Sequence, residues 1–325
     1  MLDLLSICYL FLGGAGSGIL LTCSLIDLFS LKQPFGGATR RSAMTQKQGE
    51  RFLNTGFIVG ETVLLLGIVC LVFDLGRRDR ILSLFFNPSL SILTVGAYAI
   101  GILALLGFLL VLPRLLYLPS IGTAFIRAIE IITPCIAVIA MLYTGLLLFS
   151  MKAVHFWDNS LLPVAFVLSS LSSGIAVLAI VGFFSERSAW GTVVLKRIIR
   201  VDVLLILLEI ACAFALIGVS SRAESAATQE SLNSLLFGQE ALLWWVGFVV
   251  CGMLLPLVLE LLFIKGGRHS AQTGLALAAT LILVGAFCLR YGLVEVGTQG
   301  SLIGAYLSSE EQTIELRLGE MTSYD

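Results

Sequence analysis

The chain has 325 residues, 58% hydrophobic and 13% charged, with a mean hydropathy of +1.00. A soluble domain carries about 25% charged residues, so half the usual surface charge is missing; that excludes a soluble globular enzyme, and the abundance of apolar side chains excludes a disordered chain. Twenty Lys and Arg against 21 Asp and Glu leave a net charge of −1, which gives no general affinity for polyanions and no reason to expect a nucleic-acid partner.

A bilayer-crossing helix needs about 20 mostly apolar residues. Eight segments meet that length: 4–29, 52–74, 91–115, 125–150, 161–185, 199–220, 239–264 and 272–291. They are too long, and too poor in period-2 alternation, for barrel strands, and a helix satisfies its backbone internally in lipid. The expected fold is an all-α integral membrane protein. The first span follows Met1-Leu2-Asp3 without a basic flank, so it reads as a permanent helix, not a cleaved signal.

Lys and Arg concentrate in the first, third, fifth and seventh loops, which hold thirteen of the twenty; the other side holds Arg77, Arg78, Arg80, Lys152, Arg222, Arg290 and Arg317. The positive-inside rule then places both termini outside a cytoplasmic membrane. After the last span, 292–325 forms an acidic outer tail with Glu295, Glu310, Glu311, Glu315, Glu320 and Asp325 against Arg317.

Two halves resemble each other. Gly13-Gly14-Ala15-Gly16-Ser17-Gly18 of span 1 parallels Ser169-Ser170-Leu171-Ser172-Ser173-Gly174 of span 5; Glu61 of span 2 parallels Glu209 of span 6, and Pro113 of span 3 parallels Pro256 of span 7. Either a parallel repeat of two four-helix bundles, 1–150 and 151–291, or convergent small-residue packing accounts for this.

The chain has little to hold a metal. Its seven cysteines lie singly in apolar runs with no CxxC-type spacing and read as small buried hydrophobes. Two histidines, His155 and His269, are too few for a pair of bis-histidine haems. No haem and no metal are expected.

A carboxylate at the bilayer centre costs about 2.5–3.5 kcal/mol, so each needs a reason. Glu61 lies about 14 Å into span 2 at 1.5 Å per residue, Glu209 is similarly deep in span 6, and Glu130 precedes Pro134 near the inner end of span 4. Each is either a proton relay or a neutral acid bridging two helices. Asp27 and Glu260 sit near inner ends, where headgroup contact suffices. At the outer end, Asp74 closes span 2 and Tyr143 lies near the end of the parallel span 4, followed by His155 and Trp157. Asp, Tyr, Arg and His at an apolar outer rim could bind and deprotonate a lipid-soluble quinol; an interfacial aromatic belt with snorkelling Arg is the structural alternative.

Four stretches in order resemble the NrfD/PsrC family of polysulfide-reductase-like membrane subunits. Tyr9 to Gly18 is similar to its first-helix motif. Asp74-Leu75-Gly76-Arg77 with Asn87-Pro88-Ser89 is similar to its outer loop after helix 2. Tyr143-Thr144-Gly145, Trp157 to Pro163 and Ser169 to Gly174 resemble its helix 4 to helix 5 signature, and Leu289-Arg290-Tyr291 with Gly297 the end of its last helix. The resemblance implies two four-helix bundles without haem and a quinone or quinol site (menaquinone or ubiquinone) at the outer face of the first. It also implies a ferredoxin-like four-cluster iron-sulfur partner on that face, with a molybdopterin or multihaem catalytic subunit beyond. Asp3, Ser6 and Tyr9 stand where members often carry a polar or histidine quinone ligand, and Arg78 stands where they tend to have Pro.

The leading expectation is a quinone-reactive anchor of a respiratory oxidoreductase. Asp74, Tyr143, Glu61 and Glu130 would handle protons, while Tyr9, Arg77, His155 and Trp157 would contact the quinone or hold its site. The alternatives are a proton-coupled secondary transporter and a purely structural anchor.

Overall fold

A computed structural model describes residues 4–30, 40–74, 91–116, 123–152, 154–184, 189–223, 225–265 and 273–298. Its helices are α1 (Leu4–Ser30), α2 (Arg40–Asp74), α3 (Ile92–Leu116), α4 (Thr123–Phe149), α5 (Leu161–Phe184), α6 (Ala189–Ser220), α7 (Ala226–Phe237), α8 (Leu243–Lys265) and α9 (Thr273–Thr298), with a 3-10 turn at His155–Trp157. Eight of them, all but α7, are long and apolar enough to cross a membrane, and no strand occurs among the described residues. The expected all-α membrane fold is what is found. Arg77, the 87–89 motif, the segment 75–90, His269 and the tail from 299 onward lie outside the described residues.

Three boundaries differ from expectation. Helices α2 and α6 start well before the predicted 52 and 199, since helix formers such as Arg, Lys, Gln, Glu, Leu and Ala continue into these more polar leading stretches where hydropathy has ended. Helix α9 continues past 291 to Thr298, which places Arg290 two turns inside the helix instead of at its outer end. Helix α7 was not expected: its buried positions Thr228, Ser231, Leu232 and Leu235 follow an i, i+3, i+4, i+7 face that is half polar and escapes a hydropathy window.

Large side chains such as Leu65, Leu66, Phe73, Phe108, Phe183 and Phe214 face outward. In water they would be a liability, whereas in hydrocarbon they are solvent-matched. Hydroxyls inside the bundle bond back to their own helices: Ser17 donates to the Gly13 carbonyl at 2.7 Å, Thr22 to Gly18 at 2.8 Å, Thr133 to Ile129 at 2.8 Å and Ser173 to Ser169 at 2.6 Å. Each of these donors thereby has a partner that does not depend on water.

Helix α1 packs on α2, α4 and α5, and α3 bridges α2 and α4. On the other side α5 adjoins α6, and α6 adjoins α8. The small residues of α1 and α5 pack against each other: Gly14 meets the Ser170 side chain, and Gly18 meets the Ser170 carbonyl and the Gly174 backbone. Two small-xxx-small patterns thus let two backbones touch where no hydrophobic force would press them together. Gly16 meets the Leu64 backbone on α2, and Gly252 on α8 meets Gly285 on α9 in the same way.

The first twelve residues of α8, Leu243–Leu254, are a π-helix that returns to α-helix at Leu255, whose N–H bonds the Val250 carbonyl five residues back. Pro256 follows directly. Its ring excludes the carbonyl four residues before it, and the widened turns absorb the mismatch.

Candidate functional site

Three helices bring polar groups together at the end of the bundle where α2 finishes. Asp74, the last residue of α2, accepts a 2.6 Å hydrogen bond from the Ser6 hydroxyl of α1. One turn further along α1, Tyr9 is buried and its hydroxyl has no hydrogen-bond partner. The Tyr9 phenol lies against the Tyr143 phenol of α4, and the Tyr143 ring fills the space that a side chain on Gly96 of α3 would need. Ser6 therefore occupies the helix 1 position where the resemblance asks for a polar group, and it holds the carboxylate of Asp74. A buried phenol without an acceptor is an expensive arrangement, and it faces the same corner.

His155 is exposed on the 3-10 turn after α4. Trp157 is buried, donates its indole N–H to the Leu293 carbonyl at 2.8 Å and lies against Gly297, so its contacts tie the turn to α9.

The interior carboxylates fall into different settings. Glu61 is buried between α2 and α3, with both oxygens unpartnered, and Oε2 occupies the place of a Cβ on Gly107. Glu130 is in an ion-pair cluster: Arg114 at the end of α3 reaches Asp27 at 2.7 Å and Glu130 at 3.1 Å, and also donates to the Leu110 carbonyl at 2.7 Å. The Arg114 guanidinium stands 4.0 Å from the centroid of the Phe57 ring, one turn inward of Glu61. Asp27 is thus tied down by a specific partner, and headgroup contact is not needed to explain it.

Arg290 of α9 is fully buried. It donates to the Leu10 carbonyl of α1 at 3.2 Å, to the hydroxyls of Ser169 and Ser170 on α5 at 3.1 and 2.8 Å, and to the Ala286 carbonyl at 2.8 Å. Phe11 and Phe166 flank its guanidinium, with ring centroids at 5.7 and 5.2 Å. Glu209 of α6 acts electrostatically on it and approaches the same Ser169. Arg290 therefore clamps α9 to α1 and α5, next to the turn that carries Tyr9. Counting it as a surface topology signal hid this role; its position in the Leu289-Arg290-Tyr291 motif was the available clue.

Asp202, three residues into the predicted span 199–220, was missed altogether. It is fully buried on α6. Among the described residues, no group of three or more His, Cys, Asp or Glu could hold a metal ion, and all seven cysteines are free.

Eight membrane-length helices with lipid-facing apolar surfaces and a few enclosed polar clusters define an integral, multi-pass membrane protein. The chain belongs to the family described as "Polysulphide reductase, NrfD", whose model matches residues 1–300. One of the chains of the polysulfide reductase of Wolinella succinogenes is 27% identical over 308 residues, covering 89% of this protein and 92% of that one. Protein NrfD of Escherichia coli K12 is 26% identical over 308 residues, with the same coverage of 89% and 92%. One of the subunits of the selenate reductase of Mesobacillus selenatarsenatis is 29% identical over 159 residues, 46% of this protein and 34% of that one.

Proposed function

We propose that this protein is the membrane subunit of a respiratory oxidoreductase and exchanges electrons and protons with a quinone at the outer end of α1, α2 and α4. Two of its relatives are named as components of a reductase, which supports the subunit part of the reading. The observation that carries the quinone part is the outer corner itself. A carboxylate oriented by Ser6 and an unpartnered Tyr9 hydroxyl against Tyr143 stand at the edge of lipid-facing helices.

That donor set fits a quinone head group. A bound quinol would supply two electrons and two protons. Asp74, held by the Ser6 hydroxyl, is the proton acceptor on the outer side. Tyr9 and Tyr143 offer hydroxyls to a carbonyl or hydroxyl oxygen, and their burial keeps water from competing. Gly96 provides the room for the Tyr143 ring. Arg77, outside the described residues, would dock the partner or hold Asp74; His155 would contact the quinone, and Trp157 steadies that turn by tying it to α9. Glu61 is the nearer internal carboxylate for a second proton, while Glu130 is held by Arg114 and serves the inner end.

In this reading both termini and the acidic tail lie outside a cytoplasmic membrane. A ferredoxin-like iron-sulfur subunit docks on the outer face, with a catalytic subunit beyond it, and helices 1–150 and 151–291 form two four-helix bundles. Asp74→Asn keeps the shape and the Ser6 contact but removes the base. In the purified complex it should abolish quinol-linked turnover with subunit stoichiometry unchanged; turnover at the native rate would remove Asp74 from the mechanism.

A further inference from the structure

The outer corner leaves a second polar cluster unused. In the inner half of the membrane, Asp202 of α6 is fully buried and neither of its carboxyl oxygens has a hydrogen-bond partner. The side chains that approach it are Glu260 of α8 and Ser172 of α5. Glu260 is 1% exposed with Oε2 unpartnered, and Ser172, also 1% exposed, has an unpartnered hydroxyl. Glu260 therefore does not reach headgroups, contrary to its position near a helix end.

The carboxylate oxygens are pure acceptors and Ser172 offers a single hydroxyl donor, so two carboxylates placed here would have far fewer donors than their oxygens need. Nor does a described cation neutralise them. Lys196, six residues before Asp202, stands 5.9 Å from the ring centroid of Phe263 on the inner side. Arg290 lies outward, on the far side of Glu209. Helix α2 turns Phe52 and Gly56 toward α5. Adding a proton to a carboxyl turns an acceptor into a donor and lets one acid bond the other, and two protons leave the site neutral, whereas a sodium ion would leave a buried negative charge.

We propose that Asp202, Glu260 and Ser172 form a proton-holding site in the inner half of the membrane, separate from the quinone-side residues. Glu209 lies seven residues beyond Asp202, on the same face of α6 and about 10 Å further out. Ser169 lies one turn outward of Ser172 on α5 and bonds Arg290, which in turn bonds the Leu10 carbonyl beside Tyr9. The site thus stands at the inner end of a line of polar groups that reaches the α1 turn carrying the outer corner.

Dicyclohexylcarbodiimide tests this without quinone chemistry, because it forms a stable adduct with protonated carboxyls in apolar surroundings. In the purified, detergent-solubilised complex at neutral pH, peptide mass spectrometry should find the adduct on Glu260 or Asp202. It should be lost in Glu260→Gln and Asp202→Asn and be equal in sodium chloride and choline chloride. An unmodified pair, or protection by sodium, overturns the proposal. The holding site does not depend on the quinone reading: failure of Asp74→Asn to affect turnover would leave the labelling result standing, and the reverse.

Discussion

Replacing Arg290 by Met keeps the length of an unbranched side chain but removes five donors and the charge. Four hydrogen bonds disappear, to Leu10, Ser169, Ser170 and Ala286. Three of them are interhelical, and at the ~0.6 kcal/mol average for such bonds in membranes these sum to about 2 kcal/mol. Glu209, which then has no positive charge beside it, carries the loss toward the ~3–5 kcal/mol typical of breaking a buried charge pair. Glu209→Gln in the Arg290→Met background should recover about 1–2 kcal/mol, because it removes the orphaned charge and keeps the shape. Arg290→Lys keeps the charge and should lose only about 1–2 kcal/mol from the forked bonds to the two serines. Reversible unfolding in mixed micelles, followed by tryptophan fluorescence, reads these differences, since Trp157 docks on Leu293 one turn past Arg290. An Arg290→Met protein within about 1 kcal/mol of wild type, or a double variant no more stable than Arg290→Met alone, refutes the clamp and its coupling to Glu209.

Other outcomes follow from the same contacts. Gly174→Val drives a side chain into the Gly18 backbone and should cost at least the ~1–3 kcal/mol of an overpacked core, while Gly218→Ala, with open space around it, should be neutral or slightly stabilising; the same unfolding assay compares them. Arg114→Leu leaves Asp27 and Glu130 facing each other at the inner end and should cost about 2–3 kcal/mol, less than a fully buried pair because the cluster is partly wet; adding Asp27→Asn should restore part of it, read as midpoint shifts in detergent. Glu240, in the segment just before α8, is pushed upward from the ordinary carboxylate value by burial first and by Glu295 second. The folded state then binds its proton more tightly than the unfolded one, so this contribution to stability is present at low pH and is lost as pH rises through the carboxylate range. Glu240→Gln should flatten that part of the stability profile, and an unchanged slope would count against the burial.

Much of the architecture could be read without coordinates. Eight apolar runs of membrane length force eight helices, because lipid tolerates no other unpaired backbone. The small-residue stretches of spans 1 and 5 were visible too, but only packing distinguishes equivalence from contact. In the structure Gly14, Gly18, Ser170 and Gly174 touch one another, which explains their size by close approach. The polar corner was half legible. Asp74, Tyr9 and Tyr143 stood out as outer polar groups, whereas the Ser6 bond that orients Asp74 depends on how α1 and α2 are rotated.

The amino-acid sequence by itself determined the environment, the number of membrane-length helices and the scarcity of metal ligands, since these depend on composition and length. The tertiary structure decided what each scarce charge does. Hydropathy weighs a residue by its place along the chain, but a charge in lipid survives through partners on other helices. Arg290 passed for an outer-side cation at a span's end until α9 extended beyond it and brought Ser169, Ser170 and Leu10 to its guanidinium. Glu260, which read as interfacial, and Asp202, which was passed over, are buried face to face because α6 and α8 turn those positions inward. Which face of a helix meets which neighbour is a property of packing, and no one-dimensional pattern carries it.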